Sequence, residues 1–186
     1  MTSRVQLINI SHNSSSSTTS TSGGTDLPQL TWDSLRLVRN VGAGAFGVSH
    51  YGLLTLGNGD VTEVVVKILH TGDANTKEAC VLHELAGAGG APLLYGVTTK
   101  PHAIVMQYCQ GVRLDSFLSC FKYDVHHRQK AYDAIRVALA ELHAAGYAHM
   151  DLHAFNIIID TSTTPYTCHL IDVGISERTW PNDDWC

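Results

Sequence analysis

From Leu35 onward, apolar and polar positions fall into regular patterns. Leu35, Leu37 and Val41 alternate with polar or charged neighbours, the two-residue period of a half-buried strand. Strand character resumes over residues 48–56, and Gly57-Asn58-Gly59-Asp60 has the composition of a hairpin turn. The run Val61-Thr62-Glu63-Val64-Val65-Val66-Lys67-Ile68-Leu69 is strongly β-forming. The period then lengthens. Ala79, Leu82, Leu85 and Ala86 share one face of a helix expected over residues 74–86, with Asp73 placed to cap it. After a loop at 87–92, residues 93–97 and 103–106 predict two more strands, and 114–118 a short helix. Over residues 126–143, Ala131, Ala134, Ile135, Ala138, Leu139 and Leu142 recur at helical spacing, and Gly146 supplies the stop. That helix is core, with no chemistry of its own. Two apolar β-type runs, through Ile157-Ile158-Ile159 and Leu170-Ile171, close the pattern.

Residues 1–28 read as a tail. From Ser11 to Gly24 the chain is almost all Ser, Thr and Gly, which cannot bury enough apolar surface to offset its ordering entropy. A flexible linker is expected there; a phosphoacceptor tail is the alternative its hydroxyls allow. The 186 residues suffice for one ordinary domain or a small two-lobed one. A net charge of −5 without a basic patch argues against nucleic acid or an anionic membrane as the main partner. No apolar run approaches the ~20 residues of a membrane span. The first residues lack the layout of a signal peptide, and neither Thr2 nor Cys186 fits a lipidation motif. An intracellular protein is the expectation. Five cysteines, none in a C-x-x-C pair, read as free thiols in a reducing compartment. His126-His127 could bind metal, but adjacent helical residues point apart, and a solvated helix start is favoured.

The chemistry concentrates late in the chain. His149-Met150-Asp151-Leu152-His153-Ala154-Phe155-Asn156 places a carboxylate and a carboxamide five residues apart, and Asp172-Val173-Gly174 adds a second carboxylate after the next apolar run. Hard oxygen donors on loops beside short strands suit Mg²⁺, which is usually held by one or two side chains plus substrate phosphates. Upstream, Gly42-Ala43-Gly44-Ala45-Phe46-Gly47 lies between two strand patterns. Glycines so spaced let backbone approach phosphates, and a hairpin setting departs from the strand-to-helix setting of dinucleotide folds. Lys67 stands in the apolar centre of its run. A buried ammonium needs an anionic partner unless it snorkels to the sheet edge, and Glu78 or Glu84 could supply one.

Taken in order, these features resemble a eukaryotic-type protein kinase over about residues 35–176. The resemblance implies an α+β, two-lobed fold: a five-stranded antiparallel N-lobe sheet with one helix, then an abbreviated helical C-lobe. It divides the chain into the tail, an upper lobe with hinge at 29–110, and a lower lobe at 111–186. It implies ATP and Mg²⁺. Gly42, Ala43, Gly44, Ala45, Phe46 and Gly47 would cover the phosphates, and Lys67 would grip them while paired with Glu78, chosen over Glu84. Asp151 would orient the acceptor hydroxyl and take its proton, and Asn156 and Asp172 would hold the metal. Val65 would roof the adenine, Met106 resembles the gatekeeper, and backbone groups of Gln107 and Cys109 would meet the adenine edge.

Four positions, and the short stretch after Gly174, depart from the family pattern. Ser49 replaces a valine packed against adenine; Val65 replaces a small alanine in the adenine roof, and added bulk of that kind typically costs ~1–3 kcal/mol. His153 replaces the lysine that helps neutralise the transferred group; imidazole, with an ordinary pKa near ~6.5, is mostly uncharged at neutral pH. Met150 replaces the arginine that meets a phosphorylated activation loop. Only twelve residues follow Gly174, so the helices that usually receive a peptide are not expected, and Trp180, Pro181 and Trp185 would cap the lower lobe or bind a protein partner there. Three functions fit: a phosphotransferase acting on protein Ser/Thr, a pseudokinase serving as a nucleotide- or partner-binding module, and a small-molecule phosphotransferase of kinase-like fold. A compact viral kinase is one source for so short a chain.

Overall fold

A computed structural model describes residues 27–70, 76–122 and 124–179. The expected tail, except for Leu27 and Pro28, lies outside the described residues, as do Asp73, Trp180, Pro181, Trp185 and Cys186.

The fold is α+β and two-lobed. Five antiparallel strands form the upper sheet: β1 (Leu35–Ala43), β2 (Gly47–Thr55), β3 (Val61–Leu69), then, after helix α1 (Thr76–Leu85), β4 (Leu94–Thr99) and β5 (His102–Gln107). Their order is β1-β2-β3-β5-β4. The turn between β2 and β3 closes through Leu56 N–H to the Asp60 carbonyl, 2.8 Å, with Gly59 in the left-handed region at φ 87°. β3 shows what the two-residue period does. Val64 and Val66 point into one cluster with Leu54, Ala103 and Val105, whereas Val65 and Leu69 pack toward α1 and the lower lobe. Lys67 therefore faces the second side.

α1 buries Ala79, Val81, Leu82 and Leu85. Ala86, expected on that face, does not join it: it lies beyond the last helical residue, at φ 47°, and is exposed. The lower lobe begins with β6 (Val112–Arg113) and α2 (Leu114–Cys120), whose Phe117 is fully buried. α3 (Val125–Ala144) follows, capped by Asp124, which accepts from His127 N–H at 3.0 Å. Its inner face carries Ala131, Ala134, Ala138 and Leu142, with Ile135 and Leu139 at the margin. Four short strands follow among the described residues: β7 (Tyr147–Ala148), β8 (Ile157–Asp160), β9 (Thr167–Leu170) and β10 (Glu177–Arg178). β8 pairs with β6 and β9, and β7 with β10.

One apolar cluster runs through both lobes, from Leu82 and Ile104 to Phe117, Leu142, Ile159, Leu170 and Val173. Burying side chains of this size stabilises by about 1.5–3 kcal/mol each, so the lobes are held by a common core. Gly90 marks one close approach: a Cβ there would lie 2.1 Å from the Cys168 carbonyl oxygen, and the Gly90 carbonyl accepts from His169 Nδ1 at 2.9 Å. The start of α3 is solvated, as its sequence predicts, except at His127. His126 is exposed, but His127 stacks on Phe121 at 4.4 Å between centroids and meets the Tyr166 hydroxyl through Nδ1 at 2.5 Å. No helix among the described residues is long and apolar enough to cross a membrane.

Candidate active site

Lys67 is the meeting point of the two lobes. Its Nζ donates to Glu78 Oε2 at 2.7 Å and to Asp172 Oδ1 at 2.8 Å. Lys67 and Glu78 are buried, and the Asp172 side chain is 42% exposed. Burial acts most strongly on Lys67 and would lower its pKa, but the two carboxylates outweigh it, so the ammonium is held charged above the ordinary lysine range. Burial pushes Glu78 upward, with Lys67 opposing. Glu84, the other candidate partner, does not reach Lys67; it binds Tyr147 and Arg178.

The second group sits on the loop between β7 and β8. Asn156 Nδ2 donates to the Asp151 carbonyl at 3.0 Å and approaches Asp151 Oδ2 at 3.3 Å. Its Oδ1 accepts no hydrogen bond among the described residues. His153 Nδ1 accepts from Phe155 N–H at 3.3 Å, which leaves the proton of the neutral ring on Nε2, 3.5 Å from Asp151 Oδ2. The 3.2 Å approach of that Nε2 to Asn156 Nδ2 then sets two donors side by side rather than making a bond.

A buried histidine joins the two groups. His149 Nε2 donates to the Ile171 carbonyl at 2.9 Å, and its Nδ1 accepts from Asp151 N–H at 3.3 Å. Ile171 N–H bonds the Asn156 carbonyl at 2.9 Å. Through this neutral imidazole the backbone before Asp172 is tied to the backbone of Asp151 and Asn156. In the sequence His149 stands only as part of a motif and carries no role of its own. Its signal was an imidazole flanked by alanine and methionine next to a buried strand. Met150 and Asp172 both occupy the left-handed region, at φ 65° and 60°. Non-glycine residues there typically cost about 1–3 kcal/mol and cluster at functional loops.

The glycine-rich loop joins β1 and β2 and is closed by Gly44 N–H to the Gly47 carbonyl at 3.0 Å. Ser49 pairs across the ladder with Lys67, which puts the loop at the lysine end of the sheet. Its glycines differ. A Cβ on Gly47 would lie 2.3 Å from the Ile68 carbonyl oxygen, so the fold itself requires glycine. A Cβ on Gly42 or Gly44 would meet nothing within 4 Å. Phe46, at the tip, is exposed. Ala43 ends β1, and Ala45 lies between the two strands.

On the far side, Val65 pairs with Met106 across β3 and β5. Met106 and Cys109 are buried, and burial pushes the Cys109 thiol up to about 12. Gln107 N–H bonds the Leu93 carbonyl at 2.9 Å, and Cys109 N–H makes no hydrogen bond among the described residues. The connection is braced by Tyr108 packing edge-on against Tyr51 at 5.0 Å and by Gln110 donating to Glu63 at 3.0 Å.

No group of three or more His, Cys, Asp or Glu side chains fit for a metal converges among the described residues. The donor set suits a hard cation completed by phosphate oxygens instead: one carboxylate, Asp172, and one free amide oxygen, Asn156 Oδ1. The uncrowded glycines at 42 and 44 leave room for such phosphates.

A family model described as protein tyrosine and serine/threonine kinase matches residues 35–185. YrzF of Bacillus subtilis, whose name assigns it provisionally to the serine/threonine-protein kinases, is 29% identical over 109 residues, 59% of this chain and 47% of YrzF. The KEOPS complex subunit Bud32 of Pyrococcus abyssi is 31% identical over 102 residues, 54% of this chain and 44% of Bud32. Ephrin type-A receptor 3 of Danio rerio is 29% identical over 151 residues, 76% of this chain and 15% of the receptor. The matches to YrzF and Bud32 span about half the length of those relatives. A bacterium, an archaeon and a fish lend no support to a viral source. With the family match running from β1 past β10, across the lysine, the Asp151 loop and Asp172, the chain belongs to the protein tyrosine and serine/threonine kinase family.

Proposed function

We propose that this chain binds Mg-ATP and moves its γ-phosphoryl group to a serine or threonine hydroxyl of a protein. The observation that carries the reading is Lys67 Nζ held between Glu78 and Asp172 at 2.7 and 2.8 Å. It presents one oriented ammonium beside a partly exposed carboxylate. Residues 29–110 serve as the nucleotide-binding lobe and hinge, and 111–186 as the lobe bearing the catalytic and metal loops. Lys67 draws in the α- and β-phosphates, while Gly42, Ala43, Gly44, Ala45, Phe46 and Gly47 cover them with backbone N–H groups. Val65 and Met106 flank the adenine, whose edge meets backbone groups of Gln107 and Cys109. Mg²⁺, held by Asn156 Oδ1 and Asp172, supplies charge neutralisation at the phosphates when bound.

Asp151 orients the acceptor hydroxyl and receives its proton as the new O–P bond forms and the bond to the ADP oxygen breaks. His153, with its single N–H on Nε2 toward Asp151, steadies that carboxylate. Positioning and electrostatics supply most of the rate, since phosphoryl transfer asks for little covalent help. Serine or threonine as acceptor is favoured by the name of the bacterial relative. The test is transfer of label from γ-labelled ATP to a generic protein such as casein. Wild-type protein should transfer label and Asp151→Asn should not, although both gain thermal stability from Mg-ATP. Stabilisation without transfer in the wild type would leave a nucleotide-binding module in place of an enzyme.

A further inference from the structure

Glu84, the carboxylate that does not pair with Lys67, lies six residues after Glu78 on α1, about 9 Å along the helix axis. Its Oε2 accepts from the Tyr147 hydroxyl and from Arg178 Nη2, and the Arg178 guanidinium also stands 5.7 Å from the centre of the Tyr147 ring. Tyr147 is buried, and it comes two residues before His149 and four before Asp151. Arg178 faces Tyr147 in the β7–β10 pair, and Thr179 N–H bonds the Gly146 carbonyl at 2.8 Å. Just upstream, Ser176 Oγ donates to the His149 carbonyl at 3.3 Å, and Gly174 lies against the Glu78 side chain, its Cβ position 3.5 Å from Oε2. α1 is thus fastened to the catalytic segment at two places, at one end through Glu78, Lys67 and Asp172, at the other through Glu84.

We propose that Glu84 is a positioning residue: by holding Tyr147 and Arg178 it fixes α1 against the strand leading to Asp151 and so keeps Glu78 on Lys67. The proposal rests on the reading of Lys67 and Asp151 as parts of a phosphotransfer site. A cavity of about 350 Å³ beside this contact, lined by Lys77, Cys80, Val81, Glu84, Tyr147 and Arg178 among others, leaves α1 room to shift if the contact is lost.

The test reads Lys67 directly. On the full chain, labelling of Lys67 by an amine-reactive ester is followed by peptide mass spectrometry, with exposed Lys100 as the internal reference. Glu84→Ala and Tyr147→Phe should speed labelling of Lys67 by roughly two- to thirtyfold relative to Lys100. The swap of Glu84→Arg with Arg178→Glu should return it toward the wild-type rate, whereas Glu84→Arg alone should not. In the transfer assay the same variants should lose rate at saturating nucleotide by a similar factor with the acceptor KM unchanged. Labelling within about twofold of wild type in both Glu84→Ala and Tyr147→Phe overturns the proposal, as does a swap no slower to label than Glu84→Arg alone. If Glu84→Ala does not fold, Tyr147→Phe, which removes one hydroxyl, decides the matter. Absence of transfer in the wild type would overturn the phosphotransferase reading, while the labelling would still decide the role of Glu84.

Discussion

Lys67→Met takes the ammonium away from two carboxylates in different surroundings. Asp172 is partly in water and returns to it at little cost, but Glu78 is 1% exposed and cannot. Left charged, a buried partner of this kind typically costs about 3–5 kcal/mol. Glu78 has an escape, which is to take up a proton. From the ordinary value of 4.5, neutralising it costs ~1.4 kcal/mol for each pH unit above that value. The loss is then capped at about 3 kcal/mol at neutral pH and at under about 1 kcal/mol near pH 5. The sign follows from linkage. In the variant, Glu78 has a folded pKa above its unfolded one, so the folded state binds more protons in that window and stability falls as pH rises through it. Urea unfolding of wild type and variant between about pH 5 and about pH 8 measures the difference. It should grow with pH, and a second change, Glu78→Leu in the Lys67→Met background, should recover most of it. A difference that is constant across the range, or under about 1 kcal/mol at the alkaline end, would refute the picture of Glu78 as a buried anion held by Lys67.

The glycines of the β1–β2 loop should separate fold from function. Gly47→Ala places a Cβ against the Ile68 carbonyl and should destabilise by about 1–3 kcal/mol, while Gly44→Ala should leave unfolding unchanged and weaken ATP binding, as read by calorimetry. His153→Lys should raise turnover in the label-transfer assay by placing a fixed positive charge beside the transferred group; equal or lower turnover would mean that imidazole suits this site. Asp160 is held below the ordinary carboxylate range chiefly by the Ser162 hydroxyl, with the Ser162 N–H adding to it. Its stabilising contribution is therefore present above the unfolded pKa and lost as pH falls through the folded one, so Asp160→Ala should flatten the acid limb of the stability profile.

Much of this architecture is legible in the sequence because its strands and helices are long enough to show a period. β3 occupies the nine residues of its apolar run, and α3 differs from its expected bounds by a residue at each end. The misses have local causes. β6, β7 and β10 are two-residue pairs with no period to read, and they fix where Tyr147, Arg178 and the strand before Asp151 lie. The choice between Glu78 and Glu84 could be made from sequence only by family resemblance, since both fall on α1 within reach of some cation. Tertiary packing sends one to Lys67 and the other to Tyr147 and Arg178. His127 pairs with Tyr166, 39 residues away, a contact that no local pattern announces. His149 needs the position of Ile171 before its two hydrogen bonds make sense.

Convergence of Lys67, Asn156 and Asp172 on one nucleotide-metal complex is tested most directly by the affinity for ATP measured by titration calorimetry with and without Mg²⁺. ATP should bind, Mg²⁺ should tighten the binding, and Asp172→Asn should remove the tightening while much of the metal-free affinity remains. ATP that fails to bind the wild-type chain, or that binds with an affinity indifferent to Mg²⁺, would contradict that convergence.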